Sequence, residues 1–337
     1  MKNIDWSNLG FGYIKCDYNI RATCKDGVWS DLVLQEDDHI NLHMAAPSLH
    51  YGAESFEGLK AYRGVDGKIR LFRPADNARR MLSTSRKLYM AQVPEDLFVK
   101  ACVEVVKANA DYVPPYESGA SLYIRPMLIG SDAVLGVRPG NEFLFCVFVS
   151  PVGAYFKGGM SPIKVILDVE HDRAAPRGTG DVKCGGNYAA SIKAGEIAHE
   201  KGYSNVLYVD ALERKYIEEC GAANFFGIKN GTYATPKSSS ILPSITNMSL
   251  RQLAEDMGLK VEQRQIALDE LPTFEECGAC GTAAVISPIG SIFDPRDNSE
   301  ITYDNAPGRY SLAMYQQLLD IQYGRAEDKY GWTIVVE

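Results

Sequence analysis

The sequence lacks the features of several protein classes. Its longest strongly apolar run, residues 143–149, is far shorter than the ~20 residues that span a bilayer. It has no block of lysines and arginines, and 35 basic against 43 acidic side chains leave a net charge of −8. We therefore expect neither a nucleic-acid nor a membrane partner. The first twenty residues show no apolar core of a secretory signal, which favours a cytoplasmic protein.

Cysteine and histidine are also scarce, with 8 and 5 among 337 residues. This cysteine density is too low for a disulfide scaffold. Cys277 and Cys280 form a lone C-x-x-C with no second pair and no nearby histidine. Buried thiols are therefore a better interpretation of this pair than a zinc or redox centre. His39 and His43 lack the intervening glutamate of a zinc-protease helix, so the sequence predicts no metal site.

The composition that remains is that of an ordinary globular chain of about two domains. Strand-like and helix-like runs are mixed without strict alternation, which predicts an α+β fold. The glycine-rich stretch 153–160 lies between two strand regions and predicts an interdomain linker. We therefore expect a smaller N-terminal domain at 1–152 and a larger C-terminal domain at 161–337.

Local periodicity predicts the individual elements. The expected helices cover residues 74–90, 94–109, 191–201, 248–257 and 306–323. A hairpin is expected at 59–73, and further strands at 121–126, 142–150, 163–169, 206–210, 215–219, 224–228 and 283–292.

The most informative segment surrounds Lys183, with glycines at 178, 180, 185 and 186. Such a backbone suits the close approach of a ligand. A lysine there can hold a phosphate as a point charge or form a Schiff base with a carbonyl. A phosphate loop requires G-x-x-x-x-G-K-[ST], which neither Cys184 nor the glycine spacing matches. The sequence therefore favours an imine-forming lysine.

A pyridoxal phosphate site needs further groups. The phosphate needs a helix N-terminus and preferably an arginine, the pyridine nitrogen needs a carboxylate, and the 3-oxygen needs a hydrogen-bond donor. Segment 242–246 precedes a predicted helix and offers backbone N–H groups. Tyr188 follows the lysine closely, and Glu218 and Glu219 lie at a strand end. The sequence thus offers a candidate for each group.

At these residues the chain resembles the branched-chain-amino-acid aminotransferases, a family of fold-type-IV pyridoxal-phosphate enzymes. The matching motifs occur in family order and cover most of the chain, from about residue 45 to 323. They are LHYGAESFEGLK at 49–60, LYIRPMLIG at 122–130, GDVKCGGNY at 180–188, ECGAAN at 219–224, LPSIT at 242–246 and GTAA at 281–284.

The resemblance implies a role for each cofactor-binding position. Lys183 carries the cofactor as a Schiff base and then moves a proton between the substrate Cα and the cofactor. Glu219 pairs with the pyridine nitrogen; Glu218 is equally charged, and strand alternation lets only one of the two face the ring. Tyr188 donates to the 3-oxygen. The phosphate is held by Arg80 (with Arg79 as the surface alternative), by the backbone N–H groups of Ile245 and Thr246, and by the Thr282 hydroxyl.

The resemblance also implies an apolar substrate pocket. Burial holds the branched side chains of leucine, isoleucine and valine, and a polar contact near the rim holds the tail of glutamate. The turn 282–284 presents N–H groups to the α-carboxylate. The residues that line the pocket from the same chain are Phe56, Tyr123, Arg125, Ala283 and Ala284. The partner subunit of a homodimer contributes Tyr51, Leu135 and Val137.

The implied activity is therefore transamination between branched-chain L-amino acids and 2-oxoglutarate. The alternatives are a D-amino-acid aminotransferase or an aminodeoxychorismate lyase of the same fold, although K-x-G-G-N-Y is typical of the branched-chain enzymes. A binding protein without turnover is a further alternative, which the joint presence of Lys183, Glu219 and Tyr188 disfavours. Two features depart from some family members: residues 283–287 lack a thiol pair, and Ala222 replaces a hydroxyl side chain.

Overall fold

The computed structural model describes residues 1–154 and 160–337, so residues 155–159 of the predicted linker 153–160 lie outside the described residues. The chain divides into two compact units. Of the described residues, unit 1 contains 1–154, 182–185 and 320–337, and unit 2 contains 160–181 and 186–319. The sequence assigns 161–337 to one domain that carries the lysine. The structure differs here, because the segment with Lys183 and the C-terminal segment cluster with unit 1.

Unit 1 is built on an antiparallel sheet. Its strands are β1 (Asn19–Lys25), β2 (Val28–Trp29), β3 (Val33–Gln35), β4 (Glu54–Phe56), β5 (Leu59–Arg63), β6 (Ile69–Phe72), β7 (Ser121–Gly130), β8 (Glu142–Val152) and β18 (Thr333–Val336). They pair in the order β18-β6-β5-β7-β8-β1-β2, with β3 on β1 and β4 on β7. The helices are α1 (Pro47–Tyr51), α2 (Pro74–Lys87) and α3 (Glu95–Ala108), with 3-10 turns at Trp6–Asn8, Ala110–Tyr112 and Tyr116–Ser118.

Alternation along β7 separates the core of unit 1 from its opposite face. Leu122, Ile124 and Leu128 are fully buried and pack in one cluster with Met81 of α2 and Phe98 of α3. The intervening side chains of this strand are only partly buried. Because successive side chains point to opposite faces of a sheet, Tyr123, Arg125 and Met127 lie on the face away from the two helices.

Unit 2 contains a second sheet. Its strands are β9 (Ile163–Asp168), β10 (Asn205–Val209), β11 (Ile217–Cys220), β12 (Ala223–Lys229), β13 (Thr232–Pro236), β14 (Lys260–Arg264), β15 (Glu276–Gly281), β16 (Val285–Asp294) and β17 (Ser299–Thr302). In the described part of the chain, strands β11-β10-β9-β16-β15-β12 form a closed ring, because β12 also pairs with β11. The core inside this sheet includes Leu207, Phe225 and Ile289.

The helices of the second half are α4 (Gly185–Ala189), α5 (Ile192–Glu200), α6 (Ile245–Asp256) and α7 (Arg309–Gln322), with a 3-10 turn at Leu268–Thr273. Helix α6 begins earlier than its apolar pattern predicts, because the Ser244 hydroxyl caps it by accepting from the Asn247 N–H at 3.2 Å. None of the helices in the described ranges is long and apolar enough to cross a membrane.

Most predicted elements occur within a few residues of their expected bounds, and the α+β class is confirmed. The predicted strand 283–292 is wrong at its start. Residues 282–284 form a turn between β15 and β16, and β16 begins at Val285. The strands β1 and β18 and the helix α1 were not predicted, although β1 alternates buried Ile20, Ala22 and Cys24 with polar residues.

The C-terminal strand is anchored in unit 1 by Trp332. The Trp332 carbonyl accepts a hydrogen bond from the Arg73 N–H at 2.6 Å, and its ring lies 5.0 Å from the Arg73 guanidinium. The indole also contacts the rings of Phe72 and Tyr330, with centroids 5.8 and 4.1 Å away. Loss of the indole removes the ring contacts with Arg73, Phe72 and Tyr330, while the backbone hydrogen bond does not depend on the side chain.

We expect Trp332→Ala to lower the free energy of unfolding by roughly 1–3 kcal/mol, because a half-buried aromatic anchor is lost. Urea unfolding followed by circular dichroism measures this change. Val335→Ala in the same strand is the control, since that side chain is 37% exposed. Equal urea midpoints for the two variants would contradict the anchoring role.

Candidate active site

Lys183 lies in unit 1, where the backbone around it is fixed by two elements. Its N–H donates to the Thr84 hydroxyl of α2 at 3.1 Å, and its carbonyl accepts from the Phe56 N–H of β4 at 3.2 Å. The Lys183 Nζ lies 4.5 Å from the centroid of the Phe56 ring. The Gly185 N–H donates to the Glu54 carboxylate, and a Cβ at Gly185 would collide with that carboxylate. The glycine pattern around the lysine therefore does mark a close approach, here of an acidic side chain.

Phe56, Tyr123 and Arg125 are brought together on the face of unit 1 opposite its helices. The Arg125 guanidinium carbon lies 4.9 Å from the Phe56 ring centroid and 5.2 Å from that of Tyr123. Its Nη2 donates to the Tyr123 hydroxyl at 3.2 Å. The Phe56 ring thus contacts two cationic groups, the ammonium of Lys183 and the guanidinium of Arg125. This arrangement suits an anionic ligand with an apolar portion.

Lys60 adds a third cationic residue to this face. It pairs directly with Tyr123 between β5 and β7, so the two side chains lie on the same side of the sheet. Lys60 is 6% exposed, and its burial lowers the pKa of the ammonium to about 8. Lys60 ends the motif at 49–60 but was not singled out from the sequence, because its position in a strand becomes informative only when the strand order is known.

A cavity of about 410 Å³ opens on the same face of unit 1. Tyr123, Arg125 and Met127 of β7 line one side, and Phe11 and Tyr13 line another. The Phe11 ring packs edge-on against Tyr123, with centroids 5.2 Å apart. Sequence reasoning missed Phe11, because an aromatic residue between two glycines carries no periodic signal.

Arg80 and Arg79 differ clearly in their surroundings. Arg80 donates from Nε and Nη2 to the two carboxylate oxygens of Glu57, at 2.8 and 2.7 Å. Glu57 is fully buried and also accepts from Asn77 at 2.8 Å. The Arg79 side chain is 55% exposed and pairs with surface acids. Of the two arginines, Arg80 is thus the one held in the interior; Glu57 was not identified from the sequence.

Glu219 is deeply buried in unit 2, with 2% of its surface exposed. Its Oε1 accepts from the Asn224 side-chain amide at 2.7 Å, and its Oε2 pairs with the Arg173 guanidinium. Burial raises the pKa of Glu219 to about 7, and Arg173 and Asn224 oppose this rise. Glu218 is also buried, on the opposite face, where it accepts from the Ser238 hydroxyl at 2.8 Å.

One carboxylate oxygen of Glu219 provides a test of the cofactor assignment. Oε2 is buried and accepts no hydrogen bond from any residue that the structure describes. Its contact with Arg173 is an ion pair without a hydrogen bond, so Oε2 can still accept a hydrogen bond, and a protonated ring nitrogen would donate one. The donor set around Glu219 therefore fits a pyridinium cofactor.

The N-terminus of α6 is joined to Glu219 by buried amides. The Asn247 side chain donates to the Asn224 oxygen at 3.0 Å, and Asn224 donates to Glu219 and to the Leu242 carbonyl. The first-turn N–H groups of Ile245 and Thr246 have no intrahelical acceptor and carry the positive end of the helix dipole. This geometry suits a phosphate.

The remaining predicted residues of unit 2 lie in a turn and in a short helix. Thr282, Ala283 and Ala284 form the half-buried turn between β15 and β16. Val285 follows with φ of +65°, a strained value for a β-branched residue that marks a constrained backbone. Tyr188 is half-buried in the short helix α4. The turn fits a carboxylate-binding role, whereas the contact of Tyr188 with a 3-oxygen stays a prediction.

Tyr51, Leu135 and Val137 form an exposed patch on unit 1, with exposed fractions of 43%, 88% and 85%. The Tyr51 hydroxyl donates to the Leu135 carbonyl, which ties the loop to helix α1. Met44 and Leu49 extend this surface and are also well exposed. Clustered exposed apolar side chains are typical of a protein interface.

Cys277 and Cys280 are buried on opposite faces of strand β15. All eight cysteines are free and buried. The two residues lie three positions apart in β15, so their side chains point to opposite faces of the strand. Their burial also raises the pKa of both thiols well above the ordinary value, which disfavours reactive thiolates.

Burial of Glu219 makes stability depend on pH. In the unfolded chain the carboxyl has its ordinary pKa of 4.5, whereas in the folded protein its pKa is about 7. Between these two pH values the folded protein holds a proton on Glu219 that the unfolded chain has released. The stabilisation that this bound proton provides is lost as pH rises. We expect this group to lower the unfolding free energy by roughly 1–3 kcal/mol across that window in cofactor-free protein.

Urea midpoints at pH 5 and 7.5 test this dependence. Glu219→Gln cannot ionise and should lose less stability than the wild type over this interval. Glu213→Gln, at an exposed site, is the control and should follow the wild type. The same loss in wild type and Glu219→Gln would contradict the burial effect.

Comparison with known proteins is consistent with this geometry. The family model for amino-transferase class IV matches residues 54–292. The branched-chain-amino-acid aminotransferase of Helicobacter pylori is 50% identical over 100% of this chain and 99% of its own length. The enzyme of the same name from Haemophilus influenzae is 49% identical, with complete coverage of both chains.

A solved structure agrees with the predicted architecture. The branched-chain amino acid aminotransferase of Escherichia coli superposes with a TM-score of 0.80 at 27% identity, covering 96% of this chain and 100% of that chain. The match in sequence and the match in fold thus extend over nearly the whole length. The chain therefore belongs to the class IV aminotransferases, and among them to the branched-chain-amino-acid aminotransferases of fold type IV.

Proposed function

We propose that the protein transfers the amino group of L-leucine, L-isoleucine or L-valine to 2-oxoglutarate, giving branched-chain 2-oxo acids and L-glutamate, with pyridoxal 5'-phosphate as cofactor. The observation that carries the cofactor proposal is Glu219, a buried carboxylate with one oxygen bound by Asn224 and one lacking a hydrogen bond from the described residues. The names of the full-length relatives support the substrate class.

The chain supplies a group for each part of the cofactor. When bound, the cofactor supplies an electron-accepting ring that stabilises negative charge at the substrate Cα. Lys183 attaches it through Nζ and takes and returns the Cα proton. Glu219 accepts from the ring N–H, and Tyr188 donates to the 3-oxygen. The phosphate is held by Arg80, Ile245, Thr246 and Thr282.

The substrate is held by burial and by a few polar contacts. The 410 Å³ cavity and the rings of Phe56 and Tyr123 provide apolar surface, which stabilises a branched side chain at ~25 cal/mol per Å² buried. Arg125, stacked on both rings, is placed to receive the side-chain carboxylate of glutamate. The N–H groups of the turn at Ala283 and Ala284 receive the α-carboxylate.

The exposed patch supports a homodimer with shared sites. Leu135 and Val137 are almost fully exposed in the single chain, a state unfavourable for apolar side chains unless a partner covers them. We infer that Tyr51, Leu135 and Val137 complete the substrate pocket of the partner subunit. The acidic net charge also supports an enzyme without nucleic-acid or membrane partners, and we propose that it acts in the cytoplasm.

We expect the purified wild type to be yellow and to lose that colour on addition of L-leucine or L-glutamate, as the amino group moves to the cofactor. Lys183→Ala should lose the absorbance of the lysine-bound cofactor and reduce turnover by roughly 100- to 10,000-fold. Absorbance spectra before and after substrate addition measure both effects.

Lys193→Ala, at an exposed position of α5, is the matched control and should behave as the wild type. D-alanine and an aminodeoxychorismate substrate should leave the wild-type spectrum unchanged. A colourless wild type that does not bind the cofactor would overturn the proposal, and conversion by D-alanine alone would favour the D-amino-acid enzyme.

Shared sites predict complementation between two inactive variants. Lys183→Ala lacks its own lysine, and Val137→Asp damages the partner's pocket. In a hybrid dimer, one site combines an intact Lys183 with the partner's intact Val137. Co-expression should therefore restore about a quarter of wild-type activity in a random mixture of dimers. Absence of restoration in dimers confirmed by ultracentrifugation would argue against a shared site.

A further inference from the structure

Arg173 is a buried cation that no sequence motif identified. It is 7% exposed, in the segment of unit 2 that follows β9. Its Nη2 donates to the Gly180 carbonyl at 2.9 Å and to the Ser240 carbonyl. The same guanidinium forms an ion pair with Glu219. Arg173 therefore joins Glu219 to two loops, one before Lys183 in sequence and one before helix α6.

The charges around Glu219 require a cation. Glu219 and Glu218 are 2% and 4% exposed, so two adjacent carboxylates are removed from water. Asn224 is neutral, and Arg173 is the cation that pairs with Glu219 within the described ranges. Removing the cation of such a buried pair leaves an uncompensated charge that either protonates or destabilises the fold.

The hydrogen bonds of Arg173 do not go to Glu219 Oε2, the carboxylate oxygen assigned to the ring nitrogen. Both hydrogens of Nη2 are used by the carbonyls of Gly180 and Ser240. Arg173 thus stabilises the charge on Glu219 Oε2 by proximity, while that oxygen still accepts no hydrogen bond from the described residues. The guanidinium therefore supplies a positive charge next to Oε2 without using the hydrogen-bond acceptor capacity of that oxygen.

We propose that Arg173 is a positioning residue for the cofactor, which holds Glu219 ionised and oriented with Oε2 directed to the ring N–H. The proposal rests on the proposed function, in which Glu219 is the partner of the pyridine nitrogen. Arg173 touches neither substrate nor cofactor in this role. It acts through Glu219, and its two carbonyl contacts keep it in place.

The test compares two cofactors that differ at the ring nitrogen. One is pyridoxal 5'-phosphate, and the other is its carba analogue, in which a C–H group replaces that nitrogen. Quenching of tryptophan fluorescence gives the Kd of each for the cofactor-free, full-length protein. The ratio of the two Kd values reports the interaction at the nitrogen and cancels general damage to the site.

We expect the wild type to prefer pyridoxal phosphate by roughly 10- to 100-fold, the typical value of one hydrogen bond between charged partners. Glu219→Gln should lose most of this preference. Arg173→Met should lose it to a similar extent, although Glu219 is intact. Arg173→Lys keeps the charge on a shorter side chain and should show an intermediate Kd ratio. This variant also provides the test if Arg173→Met does not fold.

Arg63→Met is the matched control. Arg63 of unit 1 also donates from Nη2 to two carbonyls, those of Ala110 and Val113 at 3.0 and 3.3 Å. Arg173 pairs in addition with a buried carboxylate, whereas the two Nη2 contacts of Arg63 are both to backbone carbonyls. Its loss should leave the Kd ratio at the wild-type value even if stability falls.

A wild-type ratio in both Arg173→Met and Arg173→Lys would overturn the positioning role and leave Arg173 as a structural residue. A wild-type ratio in Glu219→Gln would overturn both this proposal and the assignment of Glu219 to the ring nitrogen. Amination of the cofactor by L-leucine in the same wild-type preparation tests the proposed function separately.

Discussion

A carboxylate can be buried in a protein only if donors and a cation replace the water that it loses. Each unit of this enzyme contains a carboxylate held in this way by an arginine and an asparagine. In unit 1, Glu57 is surrounded by Arg80 and Asn77, and in unit 2, Glu219 is surrounded by Arg173 and Asn224. Because these pairs are costly to break, they fix the helix that carries Arg80 and the loops that lead to Lys183 and α6. In each unit the buried ion pair is therefore part of the interior of that unit.

Strand alternation places the core residues and the cavity-lining residues of β7 on opposite faces of the sheet in unit 1. One face of β7 contributes Leu122 and Ile124 to the core, while the next residues along, Tyr123 and Arg125, face the cavity. A one-residue shift of this strand would exchange the two sets completely. The geometry of the face that lines the cavity is thus specified by the same apolar pattern that specifies the core.

The sequence predicted the helices well where apolar residues recur at regular spacing, as at Phe98 and Cys102. It also pointed to Lys183, because clustered glycines around a lysine are a local signal. The sequence did not identify Arg173, Glu57 or Phe11, because the role of each depends on contacts with residues that are distant in the chain. Local pattern placed Ala283 and Ala284 in a strand, because small residues fit either state, whereas the resemblance implied the turn that the structure has at 282–284.

The C-terminal strand β18 pairs with β6, although most of the chain lies between them in sequence. During synthesis, β6 emerges from the ribosome long before residues 333–336 exist. Until residues 333–336 emerge, β6 is an open edge of the sheet of unit 1, and such edges can pair with other chains. The order of the strands therefore exposes the nascent enzyme to aggregation at this edge until β18 pairs with it.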